Sequence, residues 1–280
     1  MKPAQKFALL LSAAIPCSAG FLVSTGPEDS KADNSLRAAV CPVVYRLDES
    51  PAAHGYHYTF FGNAFFINDQ GYLLTVAHVL ETFENGGQPS ILVTRQNSPP
   101  KLIALTVIAA DAQHDVAILR ATPNPFSTHY HVAFLSLASD AVAPGQSVLA
   151  FSLRPARVQN PLSFQLPVED RSAGTVLSIE KTKLEKSAAE AEVFLLSHPV
   201  TLGQSGSPVL AADSHAVVGL IEGRWVRNGS VSVAKAGAGS TEPPGAAIPI
   251  SYAVSLLKQN GVAYHIAQNG GSSADPRAKQ

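Results

Sequence analysis

The stretch Tyr56-His-Tyr-Thr-Phe-Phe-Gly-Asn-Ala-Phe-Phe-Ile67, then Asn68-Asp-Gln-Gly71, then Tyr72-Leu-Leu-Thr-Val76, decides how the chain folds. Two runs rich in aromatic and β-branched residues flank a turn-forming segment, the pattern of two strands joined by a short connection. The alternation of short apolar run and turn continues in both directions. Before it lies Cys41–Leu47; after it come Ile91–Arg95, Leu102–Ala109 and Val116–Ala121, divided by Asn-Gly-Gly and Ser-Pro-Pro. A second series follows: Val132–Leu137, Ser147–Leu153, Leu162–Leu166, Gly174–Glu180, Val193–His198, Pro208–Leu210, Ala216–Glu222 and Ala246–Ile250. Many short strands with regular turns indicate an all-β fold, and two series of roughly six indicate two β-barrels. Only Ser251–Gln259 has helical spacing, with Ser251 as the expected cap and Gly261 as the stop. The sequence carries no internal repeat.

Composition excludes several classes. The 280 residues are 46% hydrophobic and 15% charged, against roughly 25% charged in an average soluble protein, so the chain has ample material for a core. Lys and Arg number 20 against 21 Asp and Glu; neither a basic surplus for nucleic acid nor an acidic solvating tail is present. Two cysteines rule out a disulfide scaffold and a four-cysteine zinc site. His54/His57 and His129/His131 lack further ligands at metal-binding spacing, so neither metal nor cofactor is expected. The expected partner is a polypeptide substrate.

The first 20 residues read as an export signal. Lys2 and Lys6 precede the apolar run Phe7–Pro16, and small residues Ser18, Ala19 and Gly20 follow it. A retained N-terminal anchor is the alternative, since Phe21-Leu-Val extends the run. Beyond it no apolar stretch reaches the roughly 20 residues of a membrane span. The expected product is periplasmic or secreted, with Cys41 as its lone thiol. Residues 21–38 read as a linker, 39–140 and 141–262 as the two barrels, and 263–280 as a disordered tail. Segments 181–191 and 227–245 read as loops, the first charged and Ala-rich, the second built of Gly, Ala, Ser and Pro.

Three short segments carry chemistry. Gly203-Gln-Ser205-Gly-Ser-Pro208 puts a hydroxyl between glycines, where a tight turn can expose it and aim backbone N–H groups at a developing oxyanion. Leu74-Thr-Val-Ala-His78 ends an apolar strand with an imidazole, a setting that suits a general base. His114-Asp115-Val-Ala-Ile-Leu sets a carboxylate at the head of an apolar strand, costly unless an N–H partners it. Alone, each has an ordinary explanation: a surface turn, a core histidine, a strand-start cap.

Together they resemble the chymotrypsin-like (trypsin-fold) serine peptidases. Within these the chain is most similar to the bacterial exported branch related to HtrA/Deg proteases and glutamyl endopeptidases. The resemblance rests on Gly62-Asn-Ala-Phe-Phe-Ile-Asn with Gly71-Tyr-Leu-Leu-Thr-Val-Ala-His78, on Asp115-Val-Ala-Ile-Leu, on Gly203–Pro208 and on Ala216-Val-Val-Gly-Leu-Ile, and spans residues 39–262. It implies two Greek-key six-stranded barrels with a short C-terminal helix. It implies Ser205 as nucleophile, His78 as general base, Asp115 as its orienting acid, and the N–H groups of Gly203 and Ser205 as the oxyanion hole. Pro199 would lie at the pocket floor, where an acid would select Arg or Lys, so trypsin-like specificity is not expected. Leu202 and Glu222 would border the substrate, with Arg224 near them and His198 beside Pro199. No PDZ domain is expected after Gly261. A catalytically latent binding or chaperone-like module on the same fold is the alternative function. An ester hydrolase is the other, though the usual α/β-hydrolase order of Ser, Asp, His is reversed here.

Overall fold

The computed structural model describes residues 35–46, 58–81, 87–95, 98–127, 130–154, 167–184, 187, 189–226, 230–232 and 242–267. The expected leader, most of the expected linker, the expected Leu162–Leu166 strand, most of the stretch 227–245 and the end of the expected tail lie outside them. Residues 35–39 form a short helix α1 that begins inside the stretch read as linker.

The first barrel closes from six strands: β1 (Val40–Arg46), β2 (Tyr58–Phe66), β3 (Tyr72–Thr75), β4 (Ser90–Arg95), β5 (Ser98–Asp111) and β6 (Val116–Thr122). Their order around it is β1-β2-β3-β6-β5-β4, with β1 pairing back to β4. The second uses β7 (Ser147–Arg154), β8 (Val168–Lys183), β9 (Glu190–Leu196), β10 (Pro208–Ala211), β11 (Val217–Val226) and β13 (Gly245–Pro249). Here the order is β7-β8-β9-β13-β11-β10, and the β10–β7 pairing closes the ring. Strand for strand this repeats the first barrel, although the two sequences share no repeat. Strand β12 (Ser230–Ser232) adds to the outside of β11. Closure suits these short apolar strands because it leaves few unpaired edges.

Helix α2 (His78–Glu81) follows β3, and α3 (Ile250–Gln259) follows β13. The cap of α3 differs from expectation: Pro249 occupies the N-cap, and Ser251 lies inside the first turn. Proline there fixes the φ of the entering chain, and no side-chain hydrogen bond caps the helix. Gly261 does lie just past the C-terminus, with φ +63°.

Two further expectations are corrected. Val132–Leu137 is not a strand: only Leu137 forms isolated bridges, to Val217 and Ile266. That segment runs extended between the barrels, where Leu135 and Leu137 fill the core rather than pair in a ladder. Of residues 181–191, read as a loop, the two ends (181–183 and 190–191) belong to β8 and β9, which pair down to Lys183↔Glu190. Lys181, Lys183, Glu190 and Glu192 face solvent while Ala191 and Val193 turn inward, so the alternation of two half-buried strand ends looked like low complexity.

One apolar cluster links the barrels, from Phe65, Phe66 and Leu119 in the first to Phe151, Leu153 and Val217 in the second. Cys41 is buried in it with no disulfide partner. Burial pushes its thiol up to about 12, so thiolate is scarce near neutrality. None of the helices among the described residues is long and apolar enough to cross a membrane. Iodoacetamide at pH 8 should leave Cys41 unmodified in folded protein and alkylate it in denaturant; peptide mapping by mass spectrometry reads both states.

Candidate active site

Asp115 opens β6 with φ +53°, a left-handed conformation that Asp tolerates better than most residues. That twist lets it grip the end of β3 by three atoms. Its carbonyl accepts from Ala77 N–H at 3.2 Å, and its Oδ1 accepts from His78 N–H at 2.8 Å. Its Oδ2 lies 2.6 Å from His78 Nδ1. The carboxylate is thus fully engaged where burial would otherwise make it costly. His78 Nε2 is buried and has no hydrogen-bond partner among the described residues.

Burial alone would lower the His78 pKa. The hydrogen bond and charge of Asp115, aided by Glu222 and Glu81, outweigh that and raise it above the usual 6.5. Glu222 was expected beside the substrate. It is 3% exposed and has a carboxylate oxygen within 4.8 Å of ligand-type atoms of both His78 and Asp115. These three are the one group of metal-binding type found among the described residues. Its closest pair, His78 and Asp115, stands at hydrogen-bond distance, the geometry of a shared proton.

Ser205 sits on the turn between β9 and β10. Gly203 and Gly206 adopt φ +92° and +79°, and a side chain at Gly206 would collide with Asn63 O and Thr75 Oγ1. The turn uses the N–H groups of Gln204 (to Thr201 O, 3.2 Å), Gly206 (to Ile221 O, 2.8 Å) and Ser207 (to Gln204 O, 3.0 Å). Those of Gly203 and Ser205 have no hydrogen-bond acceptor among the described residues. Ser205 Oγ donates to the Glu222 carbonyl at 3.2 Å and not to His78.

Two residues that the sequence reading left without a role hold this turn. Asn63, wholly buried in β2, donates its backbone N–H to Ser205 O at 2.8 Å and its Nδ2 to Gly203 O at 2.9 Å. Its Oδ1 accepts from Leu153 N–H at 3.1 Å, and its carbonyl accepts from Thr75 Oγ1 at 2.7 Å. Gln204, also buried, donates to Ser152 Oγ and Asp170 Oδ2, both at 3.1 Å. The available signal was a polar residue inside an apolar strand, Gly62-Asn-Ala-Phe-Phe-Ile, which is tolerated only when its hydrogen bonds are made.

Beside Ser205 lies a small depression bordered by Val200, Thr201, Leu202, Ile221, Gly223 and Arg224. Leu202 is 63% exposed there, and Arg224 Nε is fixed on Val200 O at 2.7 Å. Pro199 is exposed and outside this lining, and His198 packs near Gly174 instead. Trp225 packs against the core. His114, next to Asp115 in sequence, bonds Asp111 at 2.6 Å and stacks on Tyr252, away from His78.

A histidine–carboxylate pair, a serine on a glycine turn and two barrels of one topology define a peptidase of the trypsin-like class. The family model for the trypsin-like peptidase domain matches residues 62–220, more than half of the chain, and the chain belongs to that family. A search of curated proteins finds no significant sequence match. Among solved structures, the HtrA-type protease AlgW with decapeptide is similar at TM-score 0.54 and 15% identity, over 81% of this chain and 66% of that one. This chain therefore spans just under two thirds of AlgW. The MamO protease domain from Magnetospirillum magneticum is similar at TM-score 0.54 and 18% identity, over 80% of this chain and 97% of that one. The Rv3671c protease from M. tuberculosis, in its active form, gives TM-score 0.55 and 15% identity, over 91% and 97%. At such identities the likeness is one of fold.

Replacing Asn63 by Ala keeps its backbone bonds but strands Gly203 O and Leu153 N–H in a buried setting. Each orphaned group costs about 1–3 kcal/mol, so stability should fall by about 2–6 kcal/mol in urea unfolding. Because Gly203 O belongs to the turn itself, reaction of Ser205 with an active-site probe should slow more than tenfold in protein that remains folded.

Proposed function

We propose that the chain is an exported serine endopeptidase, with Ser205 as nucleophile, His78 as general base and Asp115 as the acid that orients it. The observation that carries this reading is the 2.6 Å Asp115–His78 pair, which leaves a bare His78 Nε2 within the barrel junction that also holds the Ser205 turn. Peptide ligands in the AlgW structure support a polypeptide substrate. Lys2, Lys6 and the apolar run after them support export.

The chemistry is acyl transfer. Rotation of the Ser205 side chain exchanges the Glu222 carbonyl for His78 Nε2. Oγ then adds to the scissile carbonyl carbon as its proton passes to Nε2. Negative charge gathers on the carbonyl oxygen, where the N–H groups of Gly203 and Ser205 receive it. Collapse expels the amine, which takes its proton from His78, and leaves an acyl ester on Ser205. Water then attacks that ester, giving its proton to His78; the carboxyl product leaves and Oγ recovers its hydrogen. Asp115 keeps Nδ1 protonated throughout and stabilises the imidazolium.

A catalytically latent module on the same fold is the second reading. The Ser205 Oγ–Glu222 O hydrogen bond favours it, because in that rotamer the hydroxyl is not in contact with the base.

Labelling with a fluorophosphonate separates the two. An active peptidase should label at Ser205, lose labelling in Ser205→Ala, and label faster as pH rises. His78 has a raised pKa, so the neutral base appears only above the usual histidine range and the acid limb should lie above pH 6.5. Folded protein that labels at no pH is latent.

A further inference from the structure

Strand β11 does not run evenly beside β13. Ile221 pairs with Ala247 and Gly223 with Ala246, so Glu222 is the extra residue of a β-bulge. A bulge re-aims the side chain it carries, and bulges gather beside active sites. Here it turns a carboxylate inward, toward His78 and Asp115, and leaves it 3% exposed. The same residue's carbonyl accepts the Ser205 hydroxyl. One residue thus touches the nucleophile through its main chain and faces the base through its side chain.

The charged groups that face His78 are Asp115 from the head of β6, Glu81 from α2 and Glu222 from β11. The turn 199–206 brings a hydroxyl and no charge. Two buried carboxylates against one imidazole favour the imidazolium, since an opposite charge within ~4–6 Å stabilises the charged form of a titrating group.

We propose that Glu222 is a positioning residue, a second carboxylate that joins Asp115 in holding the proton on His78 and so sets the pH above which Ser205 can be activated. This rests on the serine-peptidase reading. Below that pH the site rests closed twice over, with a proton on the base and the hydroxyl on the Glu222 carbonyl. Above it, Nε2 becomes an acceptor that can draw the hydroxyl away. The bulge is what lets one glutamate serve both contacts.

The test measures two things in the full chain and in Glu222→Gln, Glu222→Ser and Glu222→Asp. The first is the His78 imidazole titration by NMR, assigned with His78→Gln, which needs no turnover. The second is the rate of fluorophosphonate labelling from pH 5 to 10. The uncharged variants should lower the His78 midpoint by about one pH unit, and the acid limb of labelling should move down with it. Glu222→Asp, which keeps the charge, should restore most of the shift. Should Gln fail to fold, the smaller Ser variant gives the same comparison. Wild-type labelling with a His78 midpoint unmoved in the uncharged variants overturns the role of Glu222 alone. Absence of wild-type labelling at every pH overturns the peptidase reading and the proposal with it.

Discussion

The arrangement depends on one buried amide. Asn63 belongs to the first barrel, yet its side chain bonds Gly203 and Leu153 of the second, and its backbone N–H bonds Ser205. Ser205 and His78 come from different barrels, so nothing in either sheet alone fixes their relation. A purely apolar junction would hold the barrels together but would tolerate small slides, because dispersion has little directional preference. Hydrogen bonds to a fully buried amide do not, since each ångström of slip would orphan a polar group. Gly206 lets the turn approach: with φ +79° and no Cβ, it lies against Asn63 O and Thr75 Oγ1.

The barrels contribute in different ways. In the first, the β3–β6 pairing brings the ends of two adjacent strands together, and those ends carry His78 and Asp115. Their meeting therefore follows from sheet register. In the second, Ser205 lies on a turn outside the ladder, held by Gln204 against β7 and β8 and by Asn63 across the junction. His78 is placed by strand pairing and Ser205 by side-chain hydrogen bonds. The shared strand order shows that one closed topology supports both solutions.

Much of this was legible in the sequence. Most expected strands begin and end within a few residues of those observed, because short apolar runs between turn residues leave few alternatives. His78 and Asp115 stand in hydrogen bond as the motifs implied, while Ser205 is turned to Glu222 O instead of His78. What escaped notice depends on pairing across the chain. The pairing of 181–183 with 190–192 was hidden because outward charges mask a period of two. Val132–Leu137 has strand composition, but its backbone bonds go singly to different segments, at Ala38, Phe66, Val217 and His265, so no ladder forms. The roles of Asn63 and Gln204 could be suspected from polar residues in apolar company, but their acceptors lie up to 140 residues away in sequence.

Glu222 is the clearest case of a residue whose meaning comes from register. On a regular strand, alternate side chains take opposite faces, and the resemblance placed this one at the substrate. A single extra residue opposite Ala246 and Ala247 changes the face without changing the sequence signal. The result is a carboxylate where burial is expensive, beside another carboxylate that would repel it. Such an arrangement is stable when a positive charge lies between them, and the imidazolium of His78 is the group in position to supply it. The cost of burying the second acid and the raised basicity of the histidine are therefore two views of the same interaction. A site built this way raises the pH at which its histidine gives up the proton.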